Sequence, residues 1–375
     1  MVTINRERLL KTFFDLVQID SETGYESDIA YTLTNQFTEL GLDVTEDNSK
    51  WETGHGAGNL ICTLHRNKDG ADPIYFTSHM DTVVPGKGVA PSIEDGYIVS
   101  DGTTILGADD KAGLAAILES IRTLNEHDMS HGDIQFIITV GEESGMVGAK
   151  SLDSSLLHAE YGYAIDSNGS VGDIVAAAPT QAKLHAVMKG KSAHAGLAPE
   201  KGISAITLAA KAIAKMPLGR IDDETTANIG WFEGGKQTNI VADHVDILAE
   251  ARSLDPVKME KQVTHMKEAF DYAASTYGGH ADVDVDIVYS GFKQGDGDKV
   301  VEVAKQAASF IGRESNLQAS GGGSDANVIS GLGIPTVNLA VGYEEIHTTN
   351  ERIPVEELVK ITELIIAIIS VSADR

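Results

Sequence analysis

The chain has 375 residues, 42% of them hydrophobic, which supports a sizeable core and exceeds the size at which one core usually stops growing. Its 29 basic and 56 acidic side chains give a formal net charge of -27, which repels phosphate backbones and anionic lipid surfaces and argues against nucleic-acid and membrane partners. The single cysteine, Cys62, excludes an intramolecular disulfide and is expected to be a small buried apolar residue.

Helices and strands alternate in the first half of the chain. Apolar residues at helical spacing predict two opening helices, over residues 9–17 and 29–40. Strands are predicted at residues 59–64, 74–78, 134–140 and 161–165, with a helix over residues 110–124. This order predicts an α/β fold with a mixed, largely parallel sheet.

The pattern changes near Ala177. Strands are predicted at residues 184–188, 227–231, 245–252 and 283–288, and helices at residues 205–216 and 258–277. This strand-helix-strand-strand-helix-strand order predicts a compact α+β domain of the ferredoxin-like kind.

The α/β alternation returns from Asp298, with a helix through Phe310, a strand over residues 336–340 and an apolar closing helix. We therefore expect a discontinuous catalytic domain, residues 1–176 and 291–375, interrupted by an inserted domain over residues 177–290. The opening residues lack the pattern of a signal peptide, and no apolar run reaches the length of about 18 residues that spans a bilayer. A cytoplasmic location is expected.

Polar residues that can carry chemistry lie where predicted strands end. His79 and Asp81 follow the strand at residues 74–78, at the edge where α/β sheets bind ligands. A neutral imidazole is a good zinc ligand, and a carboxylate two residues later can hold its second nitrogen. The alternative is an ordinary pair in a surface loop.

Asp109 and Asp110 open the helix at residues 110–124, and a helix-capping role is a serious alternative for either of them. Capping needs only one carboxylate, so the other is free to bridge two metals, and we favour Asp109 for this role. Glu142 and Glu143 follow the strand at residues 134–140. Because neighbouring side chains on an extended segment point in opposite directions, one glutamate can bind a metal while the other faces a water. The alternative is a solvated pair at the end of a strand.

Asp166 ends a predicted strand, and His347 lies in a polar loop. Taken singly, the first is an ordinary turn residue and the second a surface histidine. Together with the residues above they supply the nitrogen and oxygen ligands that zinc, cobalt or manganese accept. The set therefore predicts a hydrolase with two divalent metal ions, most simply zinc.

Several spaced motifs strengthen this interpretation, namely Ser78-His-Met-Asp-Thr-Val, Gly107-Ala-Asp-Asp-Lys-Ala-Gly, Gly141-Glu-Glu-Ser-Gly, Ala164-Ile-Asp-Ser, Ser192-Ala-His-Ala-Gly and Ile346-His-Thr-Thr-Asn-Glu. With them the chain resembles the zinc-exopeptidase-like family of metallopeptidases that contains peptidase T, carboxypeptidase G and the aminoacylases. The resemblance covers nearly the whole chain and is strongest to the peptidase T branch.

The resemblance implies a role for each metal-site residue. His79 and Asp166 would bind one metal, Glu143 and His347 the other, and Asp109 would bridge the two. In addition, Asp81 would orient His79, and Glu142 would be the general base acting on a water held between the metals.

In the inserted domain, the resemblance implies that His194 polarises the scissile carbonyl across a homodimer interface. Asn239 and Arg252 match positions that hold the carboxylate or backbone of a substrate, and the insert would be a dimerisation and lid domain. The remaining histidines, among them His55 and His131, are expected to be structural.

The implied activity is a metal-dependent aminopeptidase that removes the N-terminal residue from short peptides, tripeptides above all. One alternative is an N-acyl-amino-acid or dipeptide hydrolase with the same two-metal centre. Another is a non-catalytic peptide-binding protein, against which the presence of Glu142 beside every expected ligand argues, because binding alone needs no base.

Overall fold

The computed structural model describes residues 3–375. By their internal contacts these residues form two compact units. The first unit contains the residues up to Ala177, Gln294–Ala319 and Ser324–Arg375, and the second contains Ala178–Lys293 and Ser320–Gly323. Among the described residues, no helix combines the length and the apolar character needed to cross a bilayer.

The helices are α1 (Arg6–Val17), α2 (Ser27–Glu39), α3 (Ser49–Thr53), α4 (Ala108–Glu126), α5 (Val147–Lys150), α6 (Ala205–Ile213), α7 (Pro256–Tyr277), α8 (Lys299–Phe310), α9 (Asp325–Gly331) and α10 (Val355–Ala373). The strands are β1 (Asp43–Glu46), β2 (Leu60–Leu64), β3 (Ile74–His79), β4 (Ser92–Glu94), β5 (Tyr97–Val99), β6 (Ile134–Thr139), β7 (Tyr161–Ser167), β8 (Asp173–Ala178), β9 (Thr180–Lys189), β10 (Gly219–Arg220), β11 (Thr225–Gly234), β12 (His244–Ser253), β13 (His280–Tyr289), β14 (Phe292–Lys293), β15 (Asn316–Ala319), β16 (Thr336–Ala340) and β17 (Arg352–Pro354).

The first unit is built on a mixed sheet in the order β1-β2-β6-β3-β7-β16-β8, with β15 also paired to β8. The four central strands, β6, β3, β7 and β16, run parallel to one another. Strands β1 and β2 pair antiparallel with their neighbours, and β8 is antiparallel to β16 but parallel to β15. The predicted α/β class with a mixed, largely parallel sheet is confirmed.

An aromatic row fixes the register of the strands that carry the site. Phe76 of β3 pairs with Phe136 of β6 on one side and with Tyr163 of β7 on the other. Its ring centroid lies 5.8 Å from that of Phe136 and 5.6 Å from that of Tyr163. Such pairs add about 0.5–1.5 kcal/mol each beyond the area they bury. They keep the three strands in register, so that the residues that follow each strand lie at the same edge of the sheet.

Helix α4 lies in the core of the first unit, against β3 and β7 on one side and α1 and α10 on the other. Its small residues, including Gly113, Ala115 and Ala116, allow this close packing and are fully buried. The helix was expected to start at Asp110 but begins at Ala108, and the backbones of Asp109 and Asp110 depart from helical geometry. The peptide bond between these two aspartates is cis.

The second unit is an antiparallel sheet in the order β10-β11-β12-β9-β13. Helices α6 and α7 pack on the face formed by the alternating buried residues of β9, such as Leu184 and Met188. Helix α7 begins at Pro256, where the side chain of Asp255 accepts hydrogen bonds from the amides of Val257 and Lys258. The chain order and strand order of β9, β11, β12 and β13 are those of a ferredoxin-like fold.

Candidate metal centre

The ends of the four central parallel strands carry the residues that the sequence singles out. His79 is the last residue of β3, Asp166 lies near the end of β7, Glu142 and Glu143 follow β6, and His347 follows β16. Because these strands are parallel neighbours, their carboxyl ends meet at one edge of the sheet. The sheet therefore brings side chains from distant parts of the chain into one cluster.

Asp109 lies at the centre of this cluster. Its Oδ1 is 3.1 Å from Nε2 of His79, and its Oδ2 is 3.2 Å from Nε2 of His347. The two oxygens of one buried carboxylate therefore face two different imidazoles. This is the arrangement that a carboxylate shared between two metal ions requires.

The outer members of the cluster complete two groups around Asp109. On one side, Oδ1 of Asp166 lies 3.9 Å from Nε2 of His79. On the other, Oε1 of Glu143 lies 3.1 Å from Nε2 of His347. In the centre, His79, Asp109 and Glu143 each offer one ligand atom, and these atoms lie within 4.8 Å of one another. Two imidazoles and three carboxylates fit the preferences of divalent zinc, cobalt and manganese.

The ionisation of these groups reflects dense packing of negative charge. Burial raises the pKa of Asp166 and of Glu142 well above the ordinary carboxyl value, and neighbouring carboxylates add to the effect. For Asp109 burial acts in the same direction, but hydrogen bonds from His347 and His79 outweigh it and lower its pKa. Divalent cations are the natural compensation for so many carboxylates in a buried cluster.

The histidines of the cluster have a strong affinity for protons. Hydrogen bonds to Asp109 and Glu143 raise the pKa of His347 to about 10. Burial alone would lower the pKa of His79, but hydrogen bonds with Asp109 and Asp81 raise it well above its usual value. A histidine that ligates a metal must be neutral, so metal binding at these rings competes with protons.

Asp81 contacts both His79 and the glutamate pair. Nδ1 of His79 lies 3.0 Å from the main-chain oxygen of Asp81 and 3.5 Å from its carboxylate, so the carbonyl is the nearer acceptor. The carboxylate instead accepts hydrogen bonds from the amides of Glu142, at 3.0 Å, and Glu143, at 3.2 Å. One residue therefore fixes both the imidazole of His79 and the backbone of the glutamate pair.

Three further residues support the cluster and were not predicted. The buried carboxylate of Glu351 accepts hydrogen bonds from three amides of the loop that delivers Asp109, and burial raises its pKa to about 7. The hydroxyl of Tyr343 donates to Oδ1 of Asp166 at 3.1 Å. Asn338 accepts from the amide of Asp166 and donates to its carbonyl. Two sequence signals were available, because Asn338 is a polar residue within an apolar strand and Glu351 ends the motif Ile346-His-Thr-Thr-Asn-Glu.

The predicted substrate-binding residues belong to the second unit. Nδ1 of His194 accepts hydrogen bonds from the amides of Gly196 and Leu197, both at 3.1 Å, so the ring proton resides on Nε2. The loop of Asn239 lies beside it, because the carbonyl of Asn239 accepts from the amide of Ala195 at 2.9 Å. The guanidinium of Arg252 pairs with Glu250 and donates to the carbonyl of Gly321.

A comparison with known families agrees with this chemistry. The sequence pattern of peptidase family M20/M25/M40 matches residues 75–370 of the chain, and this range includes every expected metal ligand. The chain belongs to this family. The family resemblance inferred from the motifs is thereby confirmed. Members of the M20 family are typically metal-dependent, in keeping with the donor set around Asp109.

Solved structures and curated relatives of this M20 family chain match it along almost its whole length. Aminopeptidase PepT from Bacillus cereus ATCC 10987 is 69% identical, with 99% of both chains covered and a TM-score of 0.97. A tripeptidase from Staphylococcus aureus subsp. aureus Mu50 is 53% identical, with 99% of this chain and 100% of that chain covered and a TM-score of 0.96. An uncharacterised protein of Bacillus subtilis (strain 168) is 65% identical over 370 residues, 99% of this chain and 100% of the relative.

Proposed function

We propose that this M20 family peptidase is a two-metal aminopeptidase that removes the N-terminal residue from short peptides, with tripeptides as the main substrates. The observation that carries the proposal is the placement of the two carboxylate oxygens of Asp109 against His79 and His347. The high identity to an aminopeptidase and a tripeptidase supports the substrate class.

In this proposal His79 and Asp166 hold one ion, Glu143 and His347 hold the other, and Asp109 is shared. Zinc is the ion we expect, with cobalt or manganese as substitutes that accept the same donors. When bound, such ions polarise the peptide carbonyl and make a water more acidic.

Glu142 is the proposed general base. Its backbone is held by Asp81, and burial raises the pKa of its carboxyl, which brings proton uptake towards neutral pH. In the reaction Glu142 takes a proton from the attacking water and passes it to the nitrogen of the leaving amine. The neighbouring Glu143 remains a metal ligand in this proposal, so the two glutamates have separate roles.

His194 is the proposed donor to the oxyanion. Because Nδ1 accepts hydrogen bonds from two amides, the ring proton lies on Nε2, the nitrogen that we propose as the donor. A neutral donor of this kind stabilises a developing negative charge on the carbonyl oxygen. We propose that it does so in a homodimer, in which the second unit serves as the dimerisation and lid domain and Asn239 and Arg252 bind the substrate.

His194→Ala is expected to lower kcat by about 10²- to 10³-fold, the usual cost of one oxyanion donor, while the variant still dimerises. Steady-state kinetics and analytical ultracentrifugation measure the two properties. His185→Ala is the matched control, because His185 is an exposed histidine on β9 of the same unit that pairs with Asp246. Unchanged kinetics in His194→Ala would exclude the oxyanion role.

The choice of substrate is tested with matched peptides. For the zinc-loaded protein, the kcat/KM for tripeptides that have a free amine is expected to be at least about 100-fold higher than the kcat/KM for their N-acetylated forms. The reason is that acetylation removes the positive charge that an aminopeptidase recognises. Dipeptides and tetrapeptides in the same panel report the length preference. A preference for the acetylated series would instead identify an N-acyl-amino-acid hydrolase.

A further inference from the structure

His55 is a half-buried histidine that belongs to neither group of expected ligands, yet it lies against the turn that carries Glu142 and Glu143. Its Nδ1 is 2.7 Å from Oε1 of Glu26, a carboxylate with no solvent exposure. The same carboxylate accepts hydrogen bonds from the amides of Gly24, at 2.8 Å, and Gly56, at 3.0 Å. Three donors therefore converge on Glu26, and they fix both the position and the tautomer of the His55 ring.

The segment that carries His55 is itself fixed. The hydroxyl of Ser27 donates to the carbonyl of Gly56 at 2.7 Å. A Cβ at Gly56 would lie 2.6 Å from the amide nitrogen of Glu26, so the two segments touch along their backbones. The backbone that carries the His55 imidazole is thus held by direct contacts with the segment of Glu26 and Ser27.

The other side of the ring faces the turn after β6. A Cβ at Gly141 would lie 2.4 Å from Cε1 of His55, so the imidazole occupies the space beside that glycine. Nε2 of His55 is 3.5 Å from Oγ of Ser144. In the same turn, the carboxylate of Asp81 accepts from the amides of Glu142 and Glu143. The turn is therefore in contact with both His55 and Asp81.

The order Glu26, His55, Ser144 resembles an acid–histidine–serine triad, but its hydrogen bonds are not those of one. The Ser144 hydroxyl donates to the carbonyl of Gly141 at 3.1 Å, and its oxygen is 3.5 Å from the imidazole. Its proton is therefore directed at the backbone and not at the histidine. The contacts instead favour a role in which the ring packs against the turn and holds its backbone in place.

We infer that His55, anchored by Glu26, is a positioning residue that holds the Gly141–Ser144 turn in the geometry at which Glu143 ligates and Glu142 reaches the water. The inference rests on the proposed function of the two glutamates. Residues that support a metal site in this way typically contribute about 10- to 100-fold to activity or metal affinity.

The test compares His55→Ala with His55→Asn, whose amide N–H can still donate to Glu26. His55→Ala is expected to lower kcat and zinc affinity by about 10- to 100-fold, with little change in KM. His55→Asn keeps the bond to Glu26 but lacks the ring atoms beside Gly141, so it is expected to recover only part of both. Zinc affinity is measured by competition with a chelator and kcat with a tripeptide. If His55→Ala does not fold, Glu26→Gln tests the same anchor, since an amide cannot accept all three hydrogen bonds, and a loss of kcat and zinc affinity is again expected.

The matched control is His131→Ala. His131 is also buried, and its Nδ1 bonds to the carbonyl of Gly132, but it precedes β6 at the end of the strand opposite the metal centre. This variant is expected to keep its kcat and zinc affinity. Wild-type kcat and zinc affinity in folded His55→Ala, or an equal loss in His131→Ala, would overturn the inference. A wild-type protein that binds zinc but cleaves no peptide would refute the proposed function, while the zinc affinities would still test His55.

Discussion

Replacing Glu142 by glutamine is expected to lower kcat by about two to four orders of magnitude while the protein still binds two metal ions. Glutamine keeps the size of the side chain and its place beside Asp81 but cannot take up a proton. Burial raises the pKa of Glu142, which suits a group that must accept a proton near neutral pH and release it again. Tripeptide kinetics and elemental analysis of the same sample measure the two properties.

The adjacent glutamate provides the control for this experiment. Oε1 of Glu143 lies 3.1 Å from His347, on the side where the second ion is proposed. Glu143→Gln is therefore expected to lose metal as well as activity, in contrast to Glu142→Gln. If Glu142→Gln lost metal and Glu143→Gln kept it, the roles of the two residues would have to be exchanged. Full activity in Glu142→Gln would remove it from the mechanism.

Asp109→Ala is also expected to lower activity strongly, in this case because the protein would lose both metal ions. Among the residues that the structure describes, Asp109 is the carboxylate that faces both His79 and His347, so its removal is expected to take a ligand from each proposed position. Metal ions contribute several kcal/mol to such reactions, which corresponds to at least about a 10³-fold loss in kcat/KM. Metal content per chain after gel filtration, together with tripeptide kinetics, checks this expectation.

Asp110→Asn is the matched control for Asp109→Ala. Asp110 is also buried, but its carboxylate is engaged within the protein, where it accepts from the hydroxyl of Ser78 at 2.5 Å and from the amide of Gly113 at 3.2 Å. Burial raises its pKa well above the usual carboxyl value, so a neutral amide is a close replacement. Retention of two ions is expected, and their loss would contradict the preference for Asp109 as the bridging residue.

The fold was predictable where the hydrophobic pattern is strong. The central strands β3, β6, β7 and β16 are apolar runs buried on both faces, and the alternation of β9 and β12 reflects one covered and one open face. Strands β1, β15 and β17 were not predicted, because they are short and their side chains are largely exposed or mixed in burial. Strand β8, Asp173–Ala178, was not predicted either, since alanines carry little strand preference.

The set of residues that meet at the candidate site was predictable to a similar degree. His79, Glu143 and Asp166 each have an ordinary structural explanation when taken singly, but they stand out as a set because all of them lie at the ends of predicted strands. The roles of the supporting residues cannot be read from the sequence, because they depend on contacts across more than a hundred positions, as between Glu351 and the amide of Gly107. His55 looked like an ordinary structural histidine, because nothing local in the sequence reveals its contact with Gly141.

Glu351 and Asp81 have a consequence for how the protein would acquire the proposed ions. Each is a buried carboxylate that accepts hydrogen bonds from main-chain amides. The amides bound to Glu351 belong to the segment of Asp109, and those bound to Asp81 belong to Glu142 and Glu143. The polypeptide therefore holds the proposed ligands through its own hydrogen bonds, and we expect that folding does not depend on the ion as it does in a zinc finger. We expect that an ion can leave and another enter without unfolding. Under the proposed function, the metal that the protein binds would then follow the supply in its surroundings as much as the preference of the ligands.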